Sequence, residues 1–314
     1  MVRQKGQSIM KEKILRVGVI GVGVMGSAIA TRLLERGHRL WLCDANVGKT
    51  APLVANGAVA TASAAALARE VDYVITSLNT AEIVESVVFG PNGIAGAAAS
   101  GSLLIDMSSI DPRATAAMAA RLEKETGVAW VDAPLSGGAP AALKGQLTLM
   151  LGGMAAAVER ARLVLAELAT NITHMGASGA GQTTKLINQV LCACNFLSVA
   201  EATRLALDGG VDARQIPAAL AGGRADSRIL QEFMPKMAVF DYSPTGRIDN
   251  MLKDLEAVQR YATALRTPMP LTALVTELHR IMVAAGNGPE DSAAYMKLFD
   301  FGRGSESGVR QGMR

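Results

Sequence analysis

Histidine and cysteine number only three each in this chain of 314 residues, and aromatics make up 4%. No two histidines stand at ligand spacing. His38 sits in the turn before the second expected strand, His174 at a domain edge and His279 on a C-terminal helix. Each reads as a structural or surface residue, and with no Cys/His/Asp cluster the sequence predicts no metal site. An odd cysteine count without framework spacing excludes a disulfide-stapled secreted scaffold and points to a reducing compartment, the cytoplasm. Cys192 and Cys194 are two apart on a helix, face different ways and read as small buried hydrophobes. No apolar run separates the leading basic residues from the first strand, so no secretory signal is expected. The longest uncharged window near that end, Val17 to Thr31, is too short and too rich in glycine to span a bilayer.

Positive charge is scarce where it would matter for nucleic acid. The formal net charge is +3, but seven of the 31 basic residues and two of the 28 acidic ones lie in residues 1–13 and 302–314. The body between is slightly acidic and offers no broad basic face. Those two ends read as a flexible extension and a flexible tail.

What the chain does have is half its residues hydrophobic and 32 glycines, enough for two domains with real cores. Short β-branched segments alternate with helical ones through the first half. Strands are expected at 15–21, 39–44, 57–60, 71–78, 102–107, 128–133, 147–153 and around 171–174. That alternation predicts a doubly wound, mainly parallel α/β sheet. Beyond residue 179 the strand signal stops, and five helical patterns follow, the last being "LTALVTELHRIMVAAG". The predicted organisation is an α/β domain over 14–178 and an all-α domain over 179–301.

"GVGVMG" follows the first strand and opens the first helix, with Gly21, Gly23 and Gly26 around Val24 and Met25. Such glycines let a backbone turn tightly and approach a pyrophosphate at a helix N-terminus. A plain tight turn would use the same glycines, but Asp44 ends the second strand at the distance expected for a ribose-binding carboxylate. Asp44 would repel a 2′-phosphate and no arginine follows it, which favours NAD over NADP.

"DAPLSGG" follows the strand at 128–133, and Ser136, Gly137 and Gly138 read either as another tight turn or as a nest of amides for an anion. "GAGQTTKLINQ" carries one lysine, Lys185, in the first turns of a long apolar helix, where the helix dipole disfavours a cation. It has no acidic neighbour at helical spacing, only Asn188 and Gln189 on its own face. With no metal and no suitable histidine, a lysine is the available acid/base, since burial brings its pKa toward the working range.

Taken with "DMSSI" (106–110) and "LKDL" (252–255), these motifs resemble, in order and spacing over about residues 14–300, the β-hydroxyacid dehydrogenases, a family that includes 3-hydroxyisobutyrate and threonate dehydrogenases. Within it, "RIDNMLKDL", "PLTA" and "GPEDSAA" look most like the subgroup that reduces tartronate semialdehyde (2-hydroxy-3-oxopropionate). The resemblance implies a Rossmann-type domain followed by an all-α domain, assembled as a homodimer or homotetramer. It implies Lys185 as the catalytic acid/base, Ser136, Gly137, Gly138 and Asn188 around a small carboxylic-acid substrate, and Leu78, Asn79, Ser108 and Lys253 at the cofactor. Two positions depart from the family pattern: Ser77-Leu78-Asn79 stands where many members have Met-Leu-Pro, and Leu135 replaces a valine. An imine-reducing enzyme and a non-catalytic dinucleotide-binding scaffold share the fold, but both would be expected to lack the lysine.

Overall fold

The computed structural model describes residues 14–243 and 245–299. The predicted extension and tail lie outside the described residues. The chain forms two compact units, one ending at Lys185 and the other beginning at Leu186.

Among the described residues the first unit is built on nine strands: β1 (Arg16–Ile20), β2 (Arg39–Cys43), β3 (Val59–Ala60), β4 (Tyr73–Thr76), β5 (Leu103–Asp106), β6 (Ala129–Asp132), β7 (Leu135–Ser136), β8 (Leu147–Gly152) and β9 (Ala169–Gly176). They lie in the order β3-β2-β1-β4-β5-β6-β8-β7, with β9 against β8. The first six run parallel, whereas β8 is antiparallel to β6 and β7. The expected mainly parallel, doubly wound sheet is therefore present.

Seven helices accompany these strands: α1 (Val24–Glu35), α2 (Ala51–Val54), α3 (Ala64–Ala68), α4 (Ala81–Phe89), α5 (Pro112–Thr126), α6 (Gly138–Lys144) and α7 (Ala155–Leu165). Alternate residues of the central strands feed two cores. Val17, Val19, Leu40, Leu42, Ile75 and Ile105 pack with Ile29 and Leu33 of α1 and Val158 of α7. Val74, Leu104 and Trp130 pack with Leu67, Val84 and Leu122 of α3, α4 and α5. A strand buried on both faces must be apolar throughout, which is why these segments read as continuous runs. The termini of α5 are equally readable. Asp111 accepts the amides of Arg113 and Ala114, Pro112 opens the helix, and Gly127 closes it at φ 72°.

One short strand escaped the sequence pattern. Leu135–Ser136 pairs with Leu149 and Thr148 of β8 as the short strand β7, so "DAPLSGG" is a strand end, a short strand and a helix start rather than one turn. Two residues carry no period, and the pairing is set by β8, which is remote in sequence.

Helix α8 (Ala180–Asp208) contains the division between the units, and the second unit continues with α9 (Ile216–Leu220), α10 (Arg228–Ala238), α11 (Ile248–Leu265) and α12 (Pro270–Ala284). Among the described residues only α8 is long and apolar enough to cross a membrane. Its Ala193, Leu197 and Ala200 are instead buried with Leu230, Met234, Leu255 and Val275 in the core of the second unit. Cys192 and Cys194, expected to be buried, are half-buried. They sit on the flanks of a helix whose opposite side, at Ile187, Leu191 and Leu205, is exposed.

Candidate active site

The chain leaves β1 toward β2 and β3 on one side and returns to β4, β5 and β6 on the other, so β1 and β4 flank the point where the winding reverses. Open α/β sheets bind ligands there, outside the carboxyl ends of the strands. A cleft of about 650 Å³ lies at that place, within the ordinary range of small-molecule sites. It is lined by Gly21 and Gly23 after β1, Asp44 after β2, and Ser77, Leu78 and Asn79 after β4.

The glycine turn divides its labour. Gly21 has φ +89°, and a Cβ there would lie 2.4 Å from the Ser77 carbonyl oxygen. A Cβ on Gly26 would lie 1.8 Å from the Gly21 carbonyl oxygen, so this glycine lets α1 sit tightly on the turn. Gly23 is different: its backbone is extended, and a Cβ would meet no protein atom within 4 Å. Gly23 caps α1 without any side-chain hydrogen bond, and the first turn carries no acidic residue. A helix N-terminus left uncapped beside open space is an anion site, and a dinucleotide pyrophosphate fits it. Val24 is exposed in this first turn, whereas Met25 is half-buried against the core.

Asp44 accepts the Val22 amide at 2.7 Å through one oxygen and the Asn46 amide at 2.8 Å through the other. Each oxygen keeps a lone pair for a ribose hydroxyl. The sequence reading found no arginine nearby, but a short turn at Val47–Lys49 brings the Lys49 amine to 3.9 Å from Asp44. Carboxylate and amine act in opposite senses on a 2′-phosphate. Ser108 stands behind the cleft wall: it is buried, its hydroxyl accepts the Leu78 amide at 3.0 Å, and its own amide donates to Asp106.

At the far end of the same sheet edge, Gly137 (φ 120°) and Gly138 (φ 68°) are both in the left-handed half of backbone space. They follow Ser136 and open α6. Gly137 caps α6 with no side-chain hydrogen bond, so no side chain claims the first amides of that helix. Asp106 and Asp132 end the neighbouring strands β5 and β6 in register. Both are buried, and burial pushes both carboxyl groups up while hydrogen-bond donors oppose it. Thr76 and the Ser108 amide donate to Asp106, and the amides of Gly179 and Gln182 donate to Asp132. Neither role is legible in the sequence: the Asp132 partners lie 47 and 50 residues on, and Asp106 joins Thr76 across 30.

Lys185 lies in the second turn of α8, half-buried. In the second unit, Gln189 is committed: its amide donates to Asp254 at 2.6 Å and its oxygen accepts from Asn188 at 2.8 Å, which clips α8 to α11. Asn188 is half-buried beside it. Lys253 is exposed, 3.6 Å from Asp254. Among the described residues no three His, Cys, Asp or Glu gather as metal ligands.

Two family descriptions match the chain: the NAD binding domain of 6-phosphogluconate dehydrogenase over residues 16–176, and the NAD-binding part of NADP-dependent 3-hydroxyisobutyrate dehydrogenase over residues 179–299. The chain is 34% identical to 2-(hydroxymethyl)glutarate dehydrogenase of Eubacterium barkeri, covering 92% of this chain and 96% of that one. It is 35% identical to 2-hydroxy-3-oxopropionate reductase of Escherichia coli (strain K12), covering 91% and 97%. A solved structure of 3-hydroxyisobutyrate dehydrogenase from Salmonella typhimurium is similar with a TM-score of 0.78 at 33% identity, over 91% of this chain and all of that one. With the cleft, the uncapped helix and two family descriptions in agreement, the chain belongs to the β-hydroxyacid dehydrogenases of the 3-hydroxyisobutyrate dehydrogenase type, NAD(P)-binding oxidoreductases that act on a CH–OH group.

Proposed function

We propose that this enzyme interconverts a small 3-hydroxy acid and its semialdehyde with NAD(H), tartronate semialdehyde (2-hydroxy-3-oxopropionate) being the substrate, and that Lys185 is the acid/base. The observation that carries the reading is the start of α6 after Ser136, where Gly137 and Gly138 take positive φ and no side chain caps the helix amides. A substrate carboxylate on Ser136, Gly137 and Gly138 would gain charge-assisted hydrogen bonds and be held in one orientation. A nicotinamide cofactor bound in the cleft supplies or takes up the hydride. In reduction, the Lys185 ammonium donates its proton to the carbonyl oxygen as negative charge develops there. In oxidation, the neutral Lys185 amine takes the proton of the substrate hydroxyl. For Asn188 and Lys253 we retain the roles that the resemblance implies, substrate amide and cofactor contact.

The relatives named above differ in substrate at 34% and 35% identity, so overall likeness does not single one out; the choice of substrate follows the resemblance of "RIDNMLKDL" and "GPEDSAA" to the tartronate semialdehyde subgroup. The second reading, a 3-hydroxyisobutyrate dehydrogenase, is supported by the similar Salmonella structure. We further propose a cytoplasmic homodimer or homotetramer; the assembly is supported by exposed apolar residues on two helices, Leu271, Leu274 and Ile281 of α12 and Ile187, Leu191 and Leu205 of α8.

A panel of tartronate semialdehyde, methylmalonate semialdehyde, glycolaldehyde and glyceraldehyde, assayed with NADH and NADPH, tests this. Tartronate semialdehyde should give the highest kcat/KM, with the two aldehydes that lack a carboxylate lower by roughly 10²-fold or more. Gly137→Val should abolish that preference while leaving NADH affinity unchanged. Equal kcat/KM for acid and neutral aldehydes would remove the carboxylate site, and a preference for methylmalonate semialdehyde would favour the second reading.

A further inference from the structure

Asp132 takes no part in the chemistry above, yet it is wholly buried and fully engaged. It ends β6, and its two oxygens accept the amides of Gly179 at 2.8 Å and Gln182 at 3.0 Å. Those amides belong to the start of α8, where N–H groups have no intrahelical acceptor and the dipole favours negative charge. Two glycines make the fit possible. A Cβ on Gly152 would lie 2.5 Å from one Asp132 oxygen, and one on Gly181 would lie 2.7 Å from the other. The capping group thus comes from a strand 47 residues earlier in the chain rather than from the helix's own N-cap.

Gln182 ties the same turn a second time. It is 1% exposed, donates to the Ser108 carbonyl at 2.8 Å and accepts the Ile110 amide at 3.3 Å. Lys185 follows three residues later, on the same side of the helix one turn along. The start of α8 is therefore fixed in height and rotation by two buried polar groups. Asp132 also begins the seven-residue stretch that ends in the Gly137-Gly138 amides, so one short segment anchors the helix of Lys185 and carries the proposed carboxylate site.

We infer that Asp132 and Gln182 are positioning residues that set the place of the Lys185 amine through the first turn of α8. This rests on reading Lys185 as the proton donor. A misplacement of about 1 Å far from the chemistry can cost on the order of 10²-fold in rate, and such a cost vanishes once the misplaced group is removed.

The test is a pair of double-mutant cycles: Asp132→Asn and Gln182→Met, each alone and in a Lys185→Ala background, with kcat, KM and the Kd for NADH measured throughout. Each single variant should lower kcat by about 10- to 100-fold, with KM and NADH affinity within about threefold of wild type. In the Lys185→Ala background, which itself loses roughly 10²–10⁴ in kcat, each should cost less than about twofold more. Equal losses in both backgrounds would mean general damage and overturn the inference. A kcat within twofold of wild type in the single variants, beside an inactive Lys185→Ala, overturns it and leaves the Lys185 reading standing. A Lys185→Ala enzyme that keeps more than a tenth of wild-type turnover overturns the Lys185 reading and the inference together. Should Asp132→Asn lose NADH binding through misfolding, the Gln182→Met cycle decides by the same criteria.

Discussion

A Cβ placed on Gly26 would sit 1.8 Å from the Gly21 carbonyl oxygen, whereas one on Gly23 would touch no protein atom within 4 Å. The fold requires the first glycine, whereas the second borders open space where we propose the cofactor, so the same substitution should separate them. Gly26→Ala forces backbone apart and should destabilise the first unit by roughly 1–3 kcal/mol in urea unfolding. Gly23→Ala should cost no more than about 1 kcal/mol but weaken NADH at least about tenfold. Equal effects on folding, or no loss of NADH affinity for Gly23→Ala, would dissolve the distinction. Cofactor choice is a residue-scale question as well. Asp44→Ser with Ala45→Arg should shift the kcat/KM ratio of NADH over NADPH toward NADPH by at least about tenfold. Lys49→Ala, which removes the amine 3.9 Å from Asp44, should shift the ratio the other way. A ratio unmoved by either change would place the ribose edge elsewhere.

Elements were legible where a local signal existed. The run Asp111-Pro112 to Gly127 announces both ends of α5, and each cap forms within a few residues of the helix. Buried strands read as apolar runs because both of their faces are covered, and α11 and α12 follow from helical patterns alone. The glycine turn before α1 was readable because strand, turn and helix are contiguous. Long-range partners were not readable. Asp132 caps α8 across 47 positions, Gln182 reaches Ser108 across 74, and Lys49 matters only because a short turn folds it back on Asp44. Nothing in the spacing of those residues encodes a distance in space. The same limit hid β7, whose two residues are a strand only because β8 lies beside them. The short helix after Gly137 is hidden likewise.

Burial displaces the pKa of His279 in the second unit and those of Asp106 and Asp132 in the first so that acid should act on these groups in opposite senses. In the second unit, His279 is wholly buried: its Nδ1 bonds the Val275 carbonyl at 2.7 Å and its Nε2 meets the Tyr295 hydroxyl. Burial lowers its pKa from 6.5 to about 4. The folded unit therefore keeps His279 neutral, while the unfolded chain binds a proton below about pH 6.5. Its contribution is fully present above that pH and is lost as pH falls toward 4. Between pH 7 and pH 5 the loss should be about 2 kcal/mol. In the first unit, Asp106 and Asp132 have raised carboxyl pKa values, so the fold holds protons there more tightly than the unfolded chain does. Acidification relieves the cost of burying these charges, and the first unit should hold or gain stability over the same interval. Both tryptophans, Trp41 in β2 and Trp130 in β6, belong to the first unit, so their fluorescence in urea reports on it separately. Hydrogen exchange of α12, with protection corrected for intrinsic rates, reports on the second. From pH 7 to pH 5, α12 protection should fall by about 2 kcal/mol while the tryptophan midpoint stays level or rises. His279→Gln, which cannot titrate in this range, should flatten the response of α12. The same fall in His279→Gln would assign the acid sensitivity to other groups, and a matching drop in the tryptophan midpoint would show that the buried carboxylates do not offset it.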